Sequence, residues 1–280
     1  MYRVVLKQKL ASNITSFWIE APDIARNAQA GQFLIFRLDD YGERVPLTVA
    51  GIDRQKGLIR IIFQHAGKST TALSLLKEGD NIKDLLGPLG RPTEVEKFGT
   101  ACIVSGGVGT AEILTVIEAL RIVGNKVISI VGARTKELFL LEEDIRRASS
   151  ELHIATDDGS YGVKGLVTDI LKTLIARETI NIVYAIGPAP MMRAVADLTK
   201  KHSIKTVVSL NPIMVDGTGM CGACRVSVGG KTKFACVDGP EFDAHQVNWD
   251  ELLSRLGTFR YQEKTSLDRF NIRRSALCQE

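Results

Sequence analysis

The chain has 280 residues, 45% hydrophobic and 24% charged, and its 36 basic and 32 acidic side chains leave a net charge of +4. It is long enough to bury a core and to divide into two or three domains, and the charge is too slight, with no aromatic–basic patch, to argue for nucleic acid. No apolar run approaches the roughly 20 residues that span a bilayer, and the N-terminal MYRVVLKQKLASNITSF alternates like a strand without the apolar core of a signal peptide.

The first 97 residues are rich in strand signals. Tyr2 to Leu10, Thr15 to Glu20, Gln32 to Leu38, Leu47 to Asp53 and Gly57 to Phe63 are short, β-branched or aromatic, and separated by turn residues. Regular apolar runs without helical period predict a small antiparallel barrel. Within it, Glu43-Arg44-Val45-Pro46-Leu47-Thr48 sets a cation, a φ-fixing proline and a hydroxyl on a strand start, a pattern that also suits a plain edge strand. Gly67-Lys68-Ser69-Thr70-Thr71-Ala72 opens a short helix. Free backbone N–H groups and the helix dipole make such a start a phosphate cradle, although a capped helix without ligand uses the same residues. Gly87-Pro88-Leu89-Gly90 reads as a turn-rich exit from the barrel.

From about residue 98 to 210 strands and helices alternate. Strands are predicted at Thr100 to Ser105, Lys126 to Val131, Leu152 to Thr156, Ile180 to Ile186 and Lys205 to Leu210. Helices are predicted at Ala111 to Val123, Glu137 to Ser149, Val163 to Ala176 and Pro190 to His202. This is the pattern of a doubly wound parallel sheet, whose ligands bind at the carboxyl ends of the strands. Gly106-Gly107-Val108-Gly109-Thr110 after the first strand is the natural pyrophosphate turn, though not the G-x-G-x-x-G fingerprint. Arg134 and its neighbour Lys136 offer cations to a nucleotide after the second strand, and Asp157 and Asp158 end a later one. Gly187-Pro188 followed by Met191 suits a nicotinamide wall, or an ordinary helix core.

The segment Val215 to Val237 holds three of the five cysteines, in the pattern Asp216-x4-Cys221-x2-Cys224-x11-Cys236. Gly217, Gly219 and Gly222 allow tight bending. Arg225 to Val228, a Gly229-Gly230 turn and Thr232 to Ala235 read as a hairpin that returns Cys236 to the loop. Three thiolates, with or without the carboxylate, can then converge, although unligated cysteines in a turn would show the same spacing. Zinc or a [2Fe–2S] cluster accepts such ligands. Clustered cysteines of this kind point to a reducing compartment, by default the cytoplasm, rather than to a disulfide framework. Cys102 reads as a buried strand residue and Cys278 as a tail thiol.

In this order the pieces resemble the ferredoxin reductase-type electron-transfer subunits along nearly the whole chain. The family includes the electron-transfer subunit of dihydroorotate dehydrogenase. The sequence is most similar to its branch of small (alpha) subunits of the NADH-dependent reduced ferredoxin:NADP oxidoreductases, which are sulfide dehydrogenase subunit-like. The resemblance rests on ERVPLTVAG at 43–51, VSGGVGTAEI at 104–113, VGARTKELFLLEED at 131–144 and TDDGSYGVKGLVTD at 156–169. It continues through IGPAPMM at 186–192, NPIMVDGTGMCGACRV at 211–226 and DGPEFDAHQVNWDELLSRL at 238–256.

That resemblance implies an FAD-binding β-barrel at 1–97, an NAD(P)-binding α/β domain at 98–210, a [2Fe–2S] lobe at 211–247 and a helical tail at 248–280. It implies FAD at Pro46, Leu47, Thr48, Gly67, Ser69 and Thr70, with NAD(H) or NADP(H) in the second domain. Relatives carry an arginine directly before the proline, where this chain has Val45 and, one step earlier, Arg44; neighbours on a strand face opposite sides. Relatives of the dihydroorotate type carry a fourth cysteine where Asp216 stands, and the closer branch has aspartate there, which makes Asp216 the fourth cluster ligand. The implied function is electron transfer between NAD(H), FAD and the cluster within a bifurcating heterodimer. Its partner is a larger flavin and iron–sulfur subunit that handles NADP(H) and ferredoxin. The rival functions are a dihydroorotate dehydrogenase subunit and a zinc-stabilised nucleotide-binding module without redox work. The stretch Asn248 to Glu263 carries an apolar face suited either to the partner or to its own domain.

Overall fold

The computed structural model describes residues 1–277, so Cys278 lies outside the described residues. The N-terminal region is built from β1 (Tyr2–Ala11), β2 (Ile14–Glu20), a short α1 (Pro22–Asn27), β3 (Phe33–Arg37), β4 (Val45–Thr48), β5 (Gly51–Asp53), β6 (Leu58–Gln64), α2 (Lys68–Leu75), β7 (Asn81–Ile82) and β8 (Asp84–Leu89). The strands form two antiparallel sheets, ordered β5-β6-β2-β1-β7 and β4-β3-β8. Both close on one core, in which Val4, Phe17, Ile59 and Phe63 from the larger sheet meet Leu34, Phe36 and Leu85 from the smaller, with Leu73 of α2 as a plug.

Two readings of this region change. The single strand expected over Leu47 to Asp53 divides into β4 and β5, because β4 pairs with β3 while β5 pairs with β6 in the other sheet. Gly87-Pro88-Leu89 belongs to β8: the register against β3 shifts between Phe33 and Ile35, which absorbs the proline within a paired strand.

The second region contains β9 (Thr100–Gly106), α3 (Ile113–Ile122), β10 (Lys126–Ala133), α4 (Glu142–Ala148), β11 (Glu151–Thr156), β12 (Val163–Lys164), α5 (Val167–Arg177), β13 (Ile182–Ile186), α6 (Ala189–Lys200) and β14 (Lys205–Ser209). β9, β10 and β13 are continuous apolar runs because both their faces are covered. Ile113, Val116, Ile117 and Leu120 of α3 repeat at helical spacing and pack on one face. Val167, Ile170, Leu171 and Leu174 of α5, with Met192 and Val195 of α6, pack on the other.

Helix starts are where the sequence misleads. The helix expected from Glu137 begins at Glu142, after a 3-10 turn at Lys136–Leu138, because Leu140 turns inward at the barrel contact. The helix expected from Val163 begins at Val167: Gly165 has a φ of 142°, and the Asp169 carboxylate accepts the Leu166 N–H at 2.9 Å to cap the new start.

The remainder holds β15 (Arg225–Val228), β16 (Lys231–Phe234), α7 (Ala235–Asp238), β17 (Glu241–Asp243), α8 (Trp249–Leu256) and α9 (Arg260–Leu277). The expected hairpin forms, with Cys236 carried on the short α7 after it rather than at a strand end. This lobe does not stand apart. β17 joins the parallel sheet as an antiparallel edge, giving the order β12-β11-β10-β9-β13-β14-β17. Trp249 and Leu252 of α8 lie in the core with Val183 and Met192, so the apolar face of this helix is spent on its own domain; Phe259 and Tyr261 beyond it are exposed. Among the described residues no helix is long and apolar enough to cross a membrane.

Candidate functional site

The sheet order reverses between β10-β9 and β13, and a crevice must open at the carboxyl ends of strands whose helices leave on opposite faces. A cavity of ≈ 540 Å³ lies there. Its floor is Gly106, Gly107, Val108 and Gly109, its flanks carry Arg134, Asp157, Gly187, Pro188 and Met191, and the barrel closes it with Ile14 and Gln64. The glycines are demanded by close approach: a Cβ on Gly109 would sit 2.8 Å from Gly187 Cα and from the Ile186 carbonyl oxygen, and one on Gly106 2.8 Å from Met191 Sδ. Gly107 has a φ of 59° and open space before it, so its backbone is free to face a ligand.

Two residues expected in this site are engaged elsewhere. The Thr110 side chain is buried behind the turn, with its hydroxyl 3.4 Å from that of Ser105, and leaves only its backbone for a ligand. The Asp158 carboxylate accepts the Ser160 N–H at 2.9 Å and hydroxyl at 2.7 Å, holding its own loop, and it does not line the cavity.

On the barrel, Pro46, Leu47 and Thr48 are half-buried along β4, and Arg44 is exposed before the strand begins. At the start of α2 the Thr70 hydroxyl accepts the Ala66 and Gly67 N–H groups at 3.1 and 3.2 Å, so it caps the helix and is not free for phosphate. The Ser69 hydroxyl donates to the Glu43 carboxylate, whose other oxygen is 3.9 Å from Lys68 Nζ. An anion is thus already held at the head of α2, and a Cβ on Gly67 would meet nothing within 4 Å. This position fits a flavin phosphate in place of that carboxylate.

The cysteine loop packs on the barrel. Cys224 and Cys236 are buried with Phe33, Ile35 and Met214, and a Cβ on Gly217 would lie 2.7 Å from both Ile35 Cδ1 and Leu89 Cδ1. The two sulfurs are 3.2 Å apart. Burial, the Cys224 thiol and the nearby Asp216 charge push the Cys236 thiol up to about 12; a bound iron reverses that by stabilising the thiolate. Cys221 is exposed at the rim. Asp216 accepts the Thr218 N–H at 2.7 Å and the Cys221 N–H at 2.8 Å, and these bonds hold its carboxyl below the usual range, ionised and beside the thiols. Among the described residues no three His, Cys, Asp or Glu side chains are gathered at metal-holding distance: the structure pairs two sulfurs and leaves Cys221 and Asp216 on the adjoining turn. Two buried soft ligands, a third on a glycine-rich turn and an ionised carboxylate nonetheless form a donor set that fits an iron–sulfur cluster.

Sequence reasoning missed Glu112 and Asn211, which both line the cavity. Glu112 was legible only as an acid directly after a glycine turn, at the N-cap of α3. Asn211 follows the last parallel strand, where any side chain reaches the crevice.

Residues 211–248 match the iron–sulfur cluster binding domain of dihydroorotate dehydrogenase B. Over 95% of the chain and 94% of its counterpart, the sequence is 47% identical to a dihydroorotate dehydrogenase B (NAD(+)) electron transfer subunit homolog of Thermotoga maritima. It is 32% identical, over 89% of the chain and 97% of the relative, to the electron transfer subunit of that enzyme in Desulforamulus reducens. A solved chain of the NADH-dependent reduced ferredoxin-NADP oxidoreductase, a structure described for flavin-based electron bifurcation, superposes with a TM-score of 0.92 at 46% identity, covering 96% of this chain and 98% of that one. Phthalate dioxygenase reductase shares the fold, at 18% identity and a TM-score of 0.60 over 81% of this chain and 85% of that one.

Proposed function

The chain belongs to the family of dihydroorotate dehydrogenase B-type electron transfer subunits, flavin- and iron–sulfur-containing oxidoreductase subunits that act on NAD(H), and from that premise we propose that it serves a bifurcating NADH-dependent ferredoxin:NADP oxidoreductase. Its cofactors are FAD, a [2Fe–2S] cluster and NAD(H). The observation that carries the finer reading is the extent of the likeness. It holds at 46% identity and a TM-score of 0.92 over 96% of this chain and 98% of the bifurcating enzyme's chain, level with the 47% of the Thermotoga maritima homolog of the dihydroorotate subunit and above the 32% of the Desulforamulus reducens subunit itself.

The residues then divide by task. Pro46, Leu47 and Thr48 seat the flavin ring, and Gly67 with the N–H groups of Ser69 and Thr70 takes its pyrophosphate. Gly106, Gly107, Val108, Gly109 and the Thr110 backbone receive the nicotinamide dinucleotide's pyrophosphate. Arg134 and Asp157 reach its adenosine side, and Gly187, Pro188 and Met191 wall the nicotinamide. Asp216, Cys221, Cys224 and Cys236 hold the cluster. Bound flavin supplies the chemistry that joins two-electron hydride exchange to one-electron transfer; the chain itself orients the rings and excludes water, and no side chain is needed as a strong acid or base.

The partner is a larger flavin and iron–sulfur subunit, through which NADP(H) and ferredoxin are served. Its docking face surrounds the exposed Cys221, where Val215, Met220 and Val237 are also exposed, rather than the apolar face of α8, which is buried. The cytoplasm, whose reducing conditions keep such thiols available, is the expected compartment. Co-purification with a large subunit, followed by NADPH-dependent reduction of both NAD+ and ferredoxin, tests this reading. Dihydroorotate oxidation by the complex in its place would overturn it in favour of the enzyme whose cluster domain residues 211–248 match.

A further inference from the structure

Glu112 has no part in the assignments above, yet it lies where they converge. Its backbone is fixed at the N-cap of α3, where its N–H donates to the Gly109 carbonyl at 3.0 Å. Its side chain lines the crevice with Gly106 to Gly109, Pro188 and Met191. Its neighbour Ala111 is buried against Ala50 and Ile62 of the barrel, and Thr48, on the barrel strand assigned to the flavin ring, is near enough to act on its carboxyl. One acidic residue therefore stands at the junction of the two regions, in the crevice proposed for the nicotinamide.

Its electrostatic surroundings are one-sided. The other acid acting on it is Glu241 of β17, of like sign and itself pushed up to about 7 by burial. The other ionisable groups lining the cavity, Arg134 and Asp157, stand at the ends of β10 and β11. Burial and, less strongly, Glu241 push the Glu112 carboxyl up to about 7, while the nearby Thr48 hydroxyl works in the opposite direction. The group therefore changes charge near neutrality without a cation beside it.

We propose that Glu112 matches its charge to the redox state of the nicotinamide: as a carboxylate it favours the cationic pyridinium ring of NAD+, and as a neutral acid the uncharged dihydropyridine ring of NADH. The inference rests on the nicotinamide reading of this crevice and adds to it a residue that discriminates substrate from product. By linkage, NAD+ binding must lower the affinity of Glu112 for its proton, and a neutral ring must not. The crevice then binds NAD+ more tightly as pH rises, with a neutral ring affected little.

The test uses the oxidised holoprotein with NAD+ and with tetrahydro-NADH, a neutral analogue that cannot give up a hydride. Titration calorimetry in buffers of different ionisation enthalpy reads proton release directly. The expected result is release of a fraction of a proton with NAD+ near pH 7 and none with the analogue, and a Kd(NAD+)/Kd(tetrahydro-NADH) ratio that falls about tenfold from pH 6 to pH 8. Glu112→Gln, similar in shape, should abolish both while keeping the flavin spectrum; Glu241→Gln, which removes an acid that raises the Glu112 carboxyl, should keep both with the transition moved to lower pH. A pH-independent ratio in the wild-type protein, or one that survives Glu112→Gln or vanishes in Glu241→Gln, overturns the proposal and leaves the nicotinamide site standing. Failure of either dinucleotide to bind the wild-type protein would remove the nicotinamide reading itself, and this inference with it. The wild-type measurement decides the matter even if the variant does not fold.

Discussion

Replacing Gly109 by alanine adds one methyl group at the tightest point of the crevice. Gly109 does not occupy the left-handed region, so the backbone itself tolerates the change. The difficulty is contact. The new carbon lies 2.8 Å from Gly187 Cα, 2.8 Å from the Ile186 oxygen and 3.0 Å from the Gly187 nitrogen, all backbone atoms that no rotamer change can withdraw. Carbon pairs rest at about 3.5–4.0 Å, so the turn after β9 and the end of β13 must part by roughly 0.7 Å. Overpacking of this kind costs about 1–3 kcal/mol. The same displacement deforms the floor of the nucleotide cavity, and that energy corresponds to about a 5- to 150-fold weakening if nucleotide binding must restore the gap. Urea unfolding can be followed through Trp249, buried on the α/β core, after Trp18→Phe removes the only other tryptophan. NAD+ affinity is measured alongside. Wild-type stability together with wild-type affinity in Gly109→Ala would refute the close-approach argument.

Three further outcomes are expected. Gly67→Ala, with a φ of −133° and nothing within 4 Å of the added carbon, should leave the apoprotein as stable or about 0.4–1 kcal/mol more so, yet weaken FAD retention as read by flavin absorbance during dialysis; undiminished retention would contradict a phosphate at this turn. Asp216→Ala should lose or destabilise the [2Fe–2S] absorption while flavin stays bound, and an intact cluster spectrum would refute Asp216 as a ligand. The Glu241 carboxyl is pushed up to about 7 by burial, with Glu94 adding to the shift and the Thr93 hydroxyl, 2.7 Å away, opposing it. Below its unfolded pKa it is neutral in both states and costs nothing. Between the unfolded value near 4.5 and about pH 7 only the unfolded chain ionises, so stability falls as pH rises through this window. Glu241→Gln should thus match the wild type near pH 4.5 and exceed it at pH 8 by about 1–3 kcal/mol in urea denaturation, with a smaller slope of the same sign left by Glu112.

Much of the fold is legible because its signals are local. The runs in β9, β10 and β13 read as buried strands, and Ile113, Val116, Ile117 and Leu120 mark one face of a helix whatever they pack on. Errors cluster where a local preference met a tertiary contact. Leu140 is drawn to the barrel and delays α4, and the split of β4 from β5 follows from pairing with different sheets, which no window of sequence reveals. Of the candidate residues, Thr110 and Thr70 carry the right chemistry at the right spacing but spend their hydroxyls internally.

The sequence by itself determined the glycine turns, the helix faces and the Asp216-x4-Cys221-x2-Cys224-x11-Cys236 spacing, because steric freedom, periodicity and reach along the chain belong to neighbouring residues. Only the tertiary structure decided that β17 completes the nucleotide sheet, that the apolar face of α8 is buried, and that Glu112 stands in the crevice beside the barrel, where burial and Glu241 raise its carboxyl. Burial and electrostatic environment are set by segments far apart in the chain, so the ionisation of an acid beside a glycine turn is written in the packing of three regions rather than in the turn itself.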